Sequence, residues 1–476
     1  MLDEMNYTKC QVFTPTKYAK LLLSSIDYEK NLFGKKVLEN SFGDGAILVE
    51  IVQTYIDDCR KNNFSNNKIK QGLENDIYGY EIDENKYKSC IEKLNQKVLN
   101  NNMYETINWK FKQEDFLKAK IDENFFYIIG NPPYINYKQL TEDNRIYLKE
   151  NFNSCKYGRF DYCYAFIEKS FNLLSQDGKM SYLIPNSIYK NVSAKDLRNI
   201  IKPYIKKIID NYGADVFPNV TVTTSILCIV KCLSKSFNYY DNITQNSFDI
   251  NKDNLVDKWK FLKIYETSED SKKELGSLYN VGSTLATLFN KAFVFEIDNE
   301  DELYYYVGTE KIEKEITKKA LSPKNCAFSK TEYIIFPYKI NDNKEIKRYT
   351  EQTFKEKFPF AYKYLEKYKI ELTNKDNESG VNWFEYGRSQ SLTNMNQKKI
   401  MMSIIITNKV KVYELSENEI PYSGIYITEI DEKYTLEKAK ETLESDDFLN
   451  YINEIGITSS GKSKRITPND VKKYMF

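Results

Sequence analysis

The 476-residue chain contains no histidine. That absence removes Ser-His-Asp hydrolysis, histidine metal sites, HNH-type nuclease chemistry and every imidazole general base at once. Eight cysteines are present, at 10, 59, 90, 155, 163, 228, 232 and 326, but never as CxxC and never at a spacing suited to zinc. Reduced, packed thiols and no metal are therefore expected. Apolar runs long enough to cross a bilayer are also missing, which argues against a membrane partner. The start, Met1-Leu2-Asp3-Glu4-Met5, has neither a basic n-region nor an apolar h-region, so the expected location is the cytoplasm. Nor is there an excess of charge: 69 Lys and Arg against 68 Asp and Glu leave +1. A nucleic-acid partner would have to be met by local basic patches and not by a global field.

What is present is a globular composition, 41% apolar and 29% charged, on a chain long enough for two domains. The first half alternates strand-like and helix-like segments, the pattern of a mostly parallel sheet covered by helices on both faces. Strands are expected at 36–39, 76–81, 109–112, 125–129, 180–184, 206–212 and 225–232, about seven in all. Helical spacing joins Ile47, Leu48, Ile51, Val52, Tyr55 and Ile56, then Tyr87, Cys90, Ile91, Leu94 and Val98, and residues 160–174 also read as helix. From about Leu233 the pattern dissolves into Asn, Asp, Ser and Lys. The expected organisation is a first domain over 1–240, a linker over 241–274 and a second domain over 275–476.

Three segments carry chemistry. In Leu38-Glu39-Asn40-Ser41-Phe42-Gly43-Asp44-Gly45-Ala46, a strand ending in an acid runs into a glycine turn that opens a helix. Such a turn lets the backbone approach a ligand closely, although ordinary strand-to-helix turns use glycine too. In Tyr78-Gly79-Tyr80-Glu81-Ile82-Asp83, the Glu81 carboxylate stands at a strand end. Two readings stay open there, an acceptor for both hydroxyls of a ribose or a cap for the next helix.

The third segment, Tyr127-Ile128-Ile129-Gly130-Asn131-Pro132-Pro133-Tyr134, is the most specific. The two prolines stiffen the turn and leave carbonyls as acceptors. The Asn131 amide and the Pro132 carbonyl, held together, can accept both hydrogens of a planar amino group, freeing its lone pair for attack. Tyr134 can stack on the base that carries that group.

In these motifs and their order the chain resembles the γ class of N6-adenine DNA methyltransferases, the TaqI type, across nearly its whole length. The resemblance implies a Rossmann-like class I methyltransferase domain followed by a mixed α+β target recognition domain. It also implies S-adenosyl-L-methionine as cofactor and double-stranded DNA as partner. Asn131, Pro132, Pro133 and Tyr134 would be catalytic. Gln11-Val12-Phe13-Thr14-Pro15 resembles the family's amino-terminal motif, which makes Thr14 and Pro15 cofactor contacts. Glu39, Ser41, Gly43 and Gly45 match its first glycine motif, with Asn40 and Phe42 where the family often has proline and cysteine. Glu81, followed by Ile82, matches the ribose acid, and Asp115-Phe116 the pair that holds the cofactor's adenine. Asp215-Val216-Phe217-Pro218-Asn219-Val220 resembles the loop whose aromatic residue sandwiches a flipped base, so Phe217 would be the second stacking face. A plain core phenylalanine remains the other reading of that residue.

In the second half, residues 276–282 and 290–293 and the stretch Tyr386-Gly387-Arg388-Ser389-Gln390 resemble the recognition domain. Arg388, Lys398 and Lys399, and Lys462, Lys464 and Arg465 in the tail, suit phosphate contacts, although a solvated charged face explains either cluster equally well. The expected protein is a monomer without a nuclease of its own, any restriction or defence subunit being separate. Rival substrates with the same chemistry are protein glutamine, an RNA base and N4 of cytosine.

Overall fold

A computed structural model describes residues 14–104, 106–211, 216, 223–261, 272–341, 345–375, 377, 379–388, 391–431, 433–460 and 462–476. Two compact units divide the chain, Met1–Glu266 and Thr267–Phe476.

In the first unit, helix α1 (Thr16–Ser24) precedes a sheet interleaved with helices. In chain order these are β1 (Val37–Glu39), α2 (Ala46–Lys61), α3 (Asn66–Asp76), β2 (Ile77–Glu81), α4 (Glu84–Asn100), β3 (Lys110–Gln113), β4 (Phe125–Gly130), α5 (Glu142–Asn151) and α6 (Cys163–Leu173). Then come β5 (Leu174–Pro185), α7 (Lys195–Ile201), β6 (Ile205–Asp210), β7 (Thr224–Val230), β8 (Ser236–Asp241) and β9 (Ser247–Asn251). The strands lie side by side as β3-β2-β1-β4-β5-β7-β6-β8-β9. Pairs among β3, β2, β1, β4 and β5 are parallel, and β7 enters antiparallel between β5 and β6.

Alternation of side chains builds a core on each face of this sheet. Leu38, Ile128, Met180, Tyr182 and Leu227 go to one apolar cluster, while Val37, Tyr127, Ile129, Leu183 and Ile226 go to the other. That is why β4 reads as an uninterrupted apolar run. Helix starts follow local chemistry: the Asp83 carboxylate caps α4 by accepting from Asn85 N–H and Lys86 N–H.

Three sequence expectations need correction. The sheet has nine strands among the described residues, and the stretch read as linker begins with β9 and an ordered return to the core. Phe237, Ile250, Leu255 and Trp259 are buried there, one at a time between polar residues. An edge hairpin covers one face with few side chains, so its composition imitates a linker. The helix expected over 160–174 starts only at Cys163, because Asp161 bridges to Asn136 in extended backbone.

The second unit is built from small sheets and short helices. One sheet joins Tyr279–Ser283, Ile425–Glu429, Lys399–Met402 and Val412–Leu415 in antiparallel pairs. Another joins Val294–Phe295, Glu332–Ile335, Thr317–Leu321 and Glu419–Pro421. Tyr386 is buried in an aromatic cluster with Phe293 and Phe336, its hydroxyl donating to the Ile335 carbonyl at 2.6 Å.

The basic residues expected on this unit separate into two groups. Arg388, Lys398, Lys462 and Arg465 are exposed. Lys399 is 0% exposed, and its ammonium donates to the carbonyls of Ser416 (2.8 Å) and Glu419 (3.0 Å). Lys464 is also buried, donating to Thr458 Oγ1 at 3.1 Å. Neither reaches a phosphate from there. Lys399 opens a strand buried at every position and Lys464 is the inward residue of Ser463–Arg465; in both the long aliphatic stem packs and the ammonium finds acceptors.

Candidate active site

The carboxyl ends of β1, β2 and β4 open into a cavity. In open parallel sheets this edge is where ligands bind, because helix N-termini and loops converge there. Thr14, Glu39, Ser41, Gly43, Glu81, Ile82, Asp115, Phe116, Asn131, Pro132, Pro133 and Tyr134 all line it. Pro15 and Gly45 are not among its lining residues: Pro15 is the N-cap residue of α1, and Gly45 is that of α2, close against Cys90 of α4. Gln11, Val12, Phe13 and Phe217 lie outside the described residues.

Glu81 is the hinge of the cofactor side. Its Oε2 accepts from Gly43 N–H at 2.8 Å and its Oε1 from Asp83 N–H at 2.9 Å, so one carboxylate ties the glycine turn to the start of α4. Each oxygen keeps a lone pair for a ligand hydroxyl. Gly43 has φ +54°, and a Cβ there would project away from all protein atoms, into the cavity it lines.

Deeper in, Glu39 is 2% exposed and its Oε2 has no partner among the described residues. Burial, with Glu81 nearby second, holds its carboxyl well above the ordinary range. A buried acid without a cation marks where a ligand's positive charge or N–H belongs. Asp115 is likewise raised by burial, opposed by the Leu117 N–H that it accepts at 2.9 Å. The Glu81 carboxylate, a buried acid with one oxygen left without a partner and an apolar shelf of Ile82 and Phe116 together fit a cationic nucleoside such as S-adenosylmethionine.

On the catalytic side, Asn131 follows β4 directly. Its Nδ2 donates to Thr14 Oγ1 at 3.2 Å. The Tyr134 hydroxyl lies 2.7 Å from Asn131 Oδ1 and 2.8 Å from the Leu183 carbonyl, with one proton to share between them. The amide is thus oriented at both ends and keeps acceptor capacity toward the cavity. Ser41 Oγ donates to the Asn131 carbonyl at 3.4 Å.

Several residues of the site were not singled out from sequence. Asp44, Lys86, Glu114, Ile135, Tyr162 and Phe166 line the cavity too. Tyr162 and Phe166, four apart at the start of α6, read only as core. Asn40, noted as a departure from the family pattern, donates through Nδ2 to Ser170 Oγ at 2.8 Å and to the Tyr182 hydroxyl. Ser170 Oγ and the Tyr182 hydroxyl close the ring at 2.6 Å. This buried network packs beneath Gly130, whose Cβ would come within 3.2 Å of Tyr182 Cε1, so it shapes the floor under Asn131.

Two stability effects follow. Gly45 has φ +86°, and a Cβ there would sit 2.4 Å from Cys90 Sγ. Gly45→Ala is expected to destabilise by roughly 2–4 kcal/mol, the left-handed penalty plus overpacking. Urea unfolding should show that loss and its partial recovery in Gly45→Ala/Cys90→Ala; full recovery would mean that the left-handed backbone costs nothing.

Asp161 accepts from Cys163 N–H at 3.1 Å, and burial raises its carboxyl to about 6. The folded value lies above the unfolded value of about 4. Its stabilising contribution is therefore complete below about pH 4 and lost as pH rises through about 6. The melting temperature of the wild type minus that of Asp161→Asn should fall across that window and stay level above it; a pH-independent difference would contradict this assignment.

The nine-stranded sheet, its order and its cavity define the fold of class I S-adenosylmethionine-dependent methyltransferases. Within that class, residues 20–217 match the family model described as Eco57I restriction-modification methylase. The type II restriction enzyme and methyltransferase RM.Eco57I of Escherichia coli is 25% identical over 516 residues, covering 86% of this chain and 51% of its own. The type II methyltransferase M.BstVI of Geobacillus stearothermophilus is 29% identical over 234 residues, covering 46% of this chain and 41% of its own. The chain thus spans about half the length, or less, of these relatives. Among solved structures, the type IIL restriction-modification enzyme MmeI in complex with DNA superposes with a TM-score of 0.62 at 12% identity, over 96% of this chain and 64% of that one. The ATP-dependent type ISP enzyme LlaBIII bound to DNA gives 0.54 at 12%, over 87% and 33%. The resemblance read from the motifs is borne out at the level of restriction-modification methylases.

Proposed function

We propose that this chain transfers a methyl group from S-adenosylmethionine to N6 of an adenine turned out of double-stranded DNA. The observation that carries the reading is the placement of Asn131-Pro132-Pro133-Tyr134 in the same cavity as Glu39, Glu81 and Asp115. When bound, the cofactor supplies an electrophilic sulfonium methyl. Glu81 would hold the ribose hydroxyls, Asp115 the adenine amino group, and Glu39 would meet the cationic end. Asn131 Oδ1 and the Pro132 carbonyl would accept the two hydrogens of the target amino group and free its lone pair for attack. Tyr134 supplies the stacking face. The methylated nitrogen becomes acidic and releases its proton to solvent, so a chain without histidine lacks nothing this reaction requires.

DNA as substrate is supported by the similarity to restriction-modification methyltransferases and to the DNA-bound enzymes MmeI and LlaBIII. The second unit, taken as residues 275–476, is the natural target recognition domain, with exposed Arg388, Lys398, Lys462 and Arg465 as phosphate contacts. Labelled methyl transfer to unmodified genomic DNA, RNA and protein, followed by nucleoside analysis, tests the reading. N6-methyladenine in DNA is the expected product; N4-methylcytosine, or label in protein or RNA alone, would replace it.

A further inference from the structure

Two loops at the carboxyl edge of the sheet take no part in holding the cofactor or the reacting amino group. Residues 152–160 lead from α5 into Asp161 and Tyr162, and residues 186–195 leave the end of β5. Each borders a residue tied to the Asn131–Tyr134 segment or its next residue: Tyr162, two residues past the first loop, donates its N–H to the Ile135 carbonyl at 3.0 Å, and Leu183, three residues before the second, accepts from the Tyr134 hydroxyl.

The loops are fastened to each other. Tyr164, in the first turn of α6 just past the first loop, faces Asn191 and Ser193 of the second. Gly158, at φ +72°, lies so near the second loop that a Cβ would meet Ser193 Cβ at 3.3 Å. Buried Arg198 donates to the carbonyls of Ile188 (2.8 Å) and Asn191 (2.6 Å), bracing the second loop from below. On this braced platform Tyr157 is 71% exposed and Val192 77% exposed. An aromatic and a β-branched residue held out into water by a fixed support indicate a surface meant to be covered.

Charge identifies what covers it. Residues 152–160 and 186–195 contain Lys156, Arg159, Lys190 and Lys195 and no carboxylate at all. Lys156, Arg159 and Lys195 are exposed. In a chain whose cations and anions nearly balance, an acid-free basic rim carrying exposed apolar side chains beside the catalytic motif is complementary to a polyanion with stackable rings.

We propose that this rim is a duplex-DNA contact of the catalytic unit. Lys156, Arg159 and Lys195 neutralise backbone phosphates near the target, and Tyr157, with Val192 beside it, packs against the bases next to the one that leaves the stack. The inference rests on the reading of DNA as substrate and adds to it a contact surface on the first unit.

The test uses the full chain, a mixed-sequence duplex and unmodified genomic DNA. Lys156→Glu/Arg159→Glu/Lys195→Glu should weaken duplex binding at least tenfold in fluorescence anisotropy. It should also reduce the slope of log K against log salt by about 2–3, since each phosphate contact contributes roughly 0.9. S-adenosylmethionine affinity and melting temperature should stay at wild-type values. Tyr157→Ala should lower kcat about tenfold with KM for DNA little changed, and Tyr157→Phe should restore it. Wild-type duplex affinity and salt slope in the triple variant, with wild-type turnover in Tyr157→Ala, would overturn the rim. Failure of the function reads differently: a wild type that binds duplex through these residues but methylates only RNA or protein leaves the rim standing and removes DNA methylation.

Discussion

Asn131→Ala is expected to slow methyl transfer by about 10²–10³-fold while S-adenosylmethionine still binds with near wild-type affinity. The amide follows β4 and is tied to Thr14 and Tyr134, whereas Glu81 and the glycine turn are held by a separate set of hydrogen bonds. Removing it deletes an acceptor that polarises the attacking nitrogen. Loss of one such preorganised hydrogen-bonding group costs about 10²–10³-fold in turnover. It also leaves the Tyr134 hydroxyl with the Leu183 carbonyl as its remaining acceptor. Asn131→Asp separates the two functions of the side chain, because it keeps acceptors but loses the donor to Thr14. Its turnover should lie between those of the wild type and the alanine variant. Single-turnover transfer of labelled methyl, paired with calorimetry of cofactor binding, reads both quantities; near-normal turnover in Asn131→Ala would sink the assignment of this motif.

Glu81→Ala has the complementary phenotype, a loss of cofactor affinity of about a hundredfold or more. Hydrogen bonds to a charged group contribute about 1.5–3 kcal/mol each, and the ribose diol would make two. The same substitution strips Gly43 N–H and Asp83 N–H of their acceptor, so the glycine turn and the start of α4 loosen together. Glu81→Gln keeps one acceptor and should lose less than alanine does. Calorimetric titration orders the three proteins as wild type, glutamine, alanine. Saturating cofactor should recover most of the turnover in both variants. Alanine binding as tightly as the wild type would exclude Glu81 from the cofactor site.

These two effects were legible before any coordinates because they reside in local chemistry. A strand that ends in Asn-Pro-Pro-Tyr has few conformations open to it, and an acid at a strand end points where the sheet edge opens. At Glu81 the structure holds both features that the sequence suggested: the carboxylate accepts from Asp83 N–H at the start of α4, which Asp83 caps, and it also lines the cavity. The less legible residues depend on partners far away in sequence. Asn40 gained a role only because Ser170 and Tyr182, 130 and 142 residues later, fold beside it. Tyr162 and Phe166 were indistinguishable from core until α6 was placed against the cavity.

The basic residues of the second unit show the same limit from the other side. Lys398 and Lys399 are adjacent in sequence and equivalent in composition, yet Lys398 stays exposed before the strand while Lys399 opens a fully buried strand and donates to the carbonyls of Ser416 and Glu419. The order of motifs, the apolar character of β4 and the exclusion of imidazole chemistry were determined by the sequence alone, since each is a property of neighbours along the chain. The tertiary structure alone decided which lysines meet solvent, where the sheet ends and what braces Asn131 from beneath, because burial depends on contacts that only long-range packing brings together.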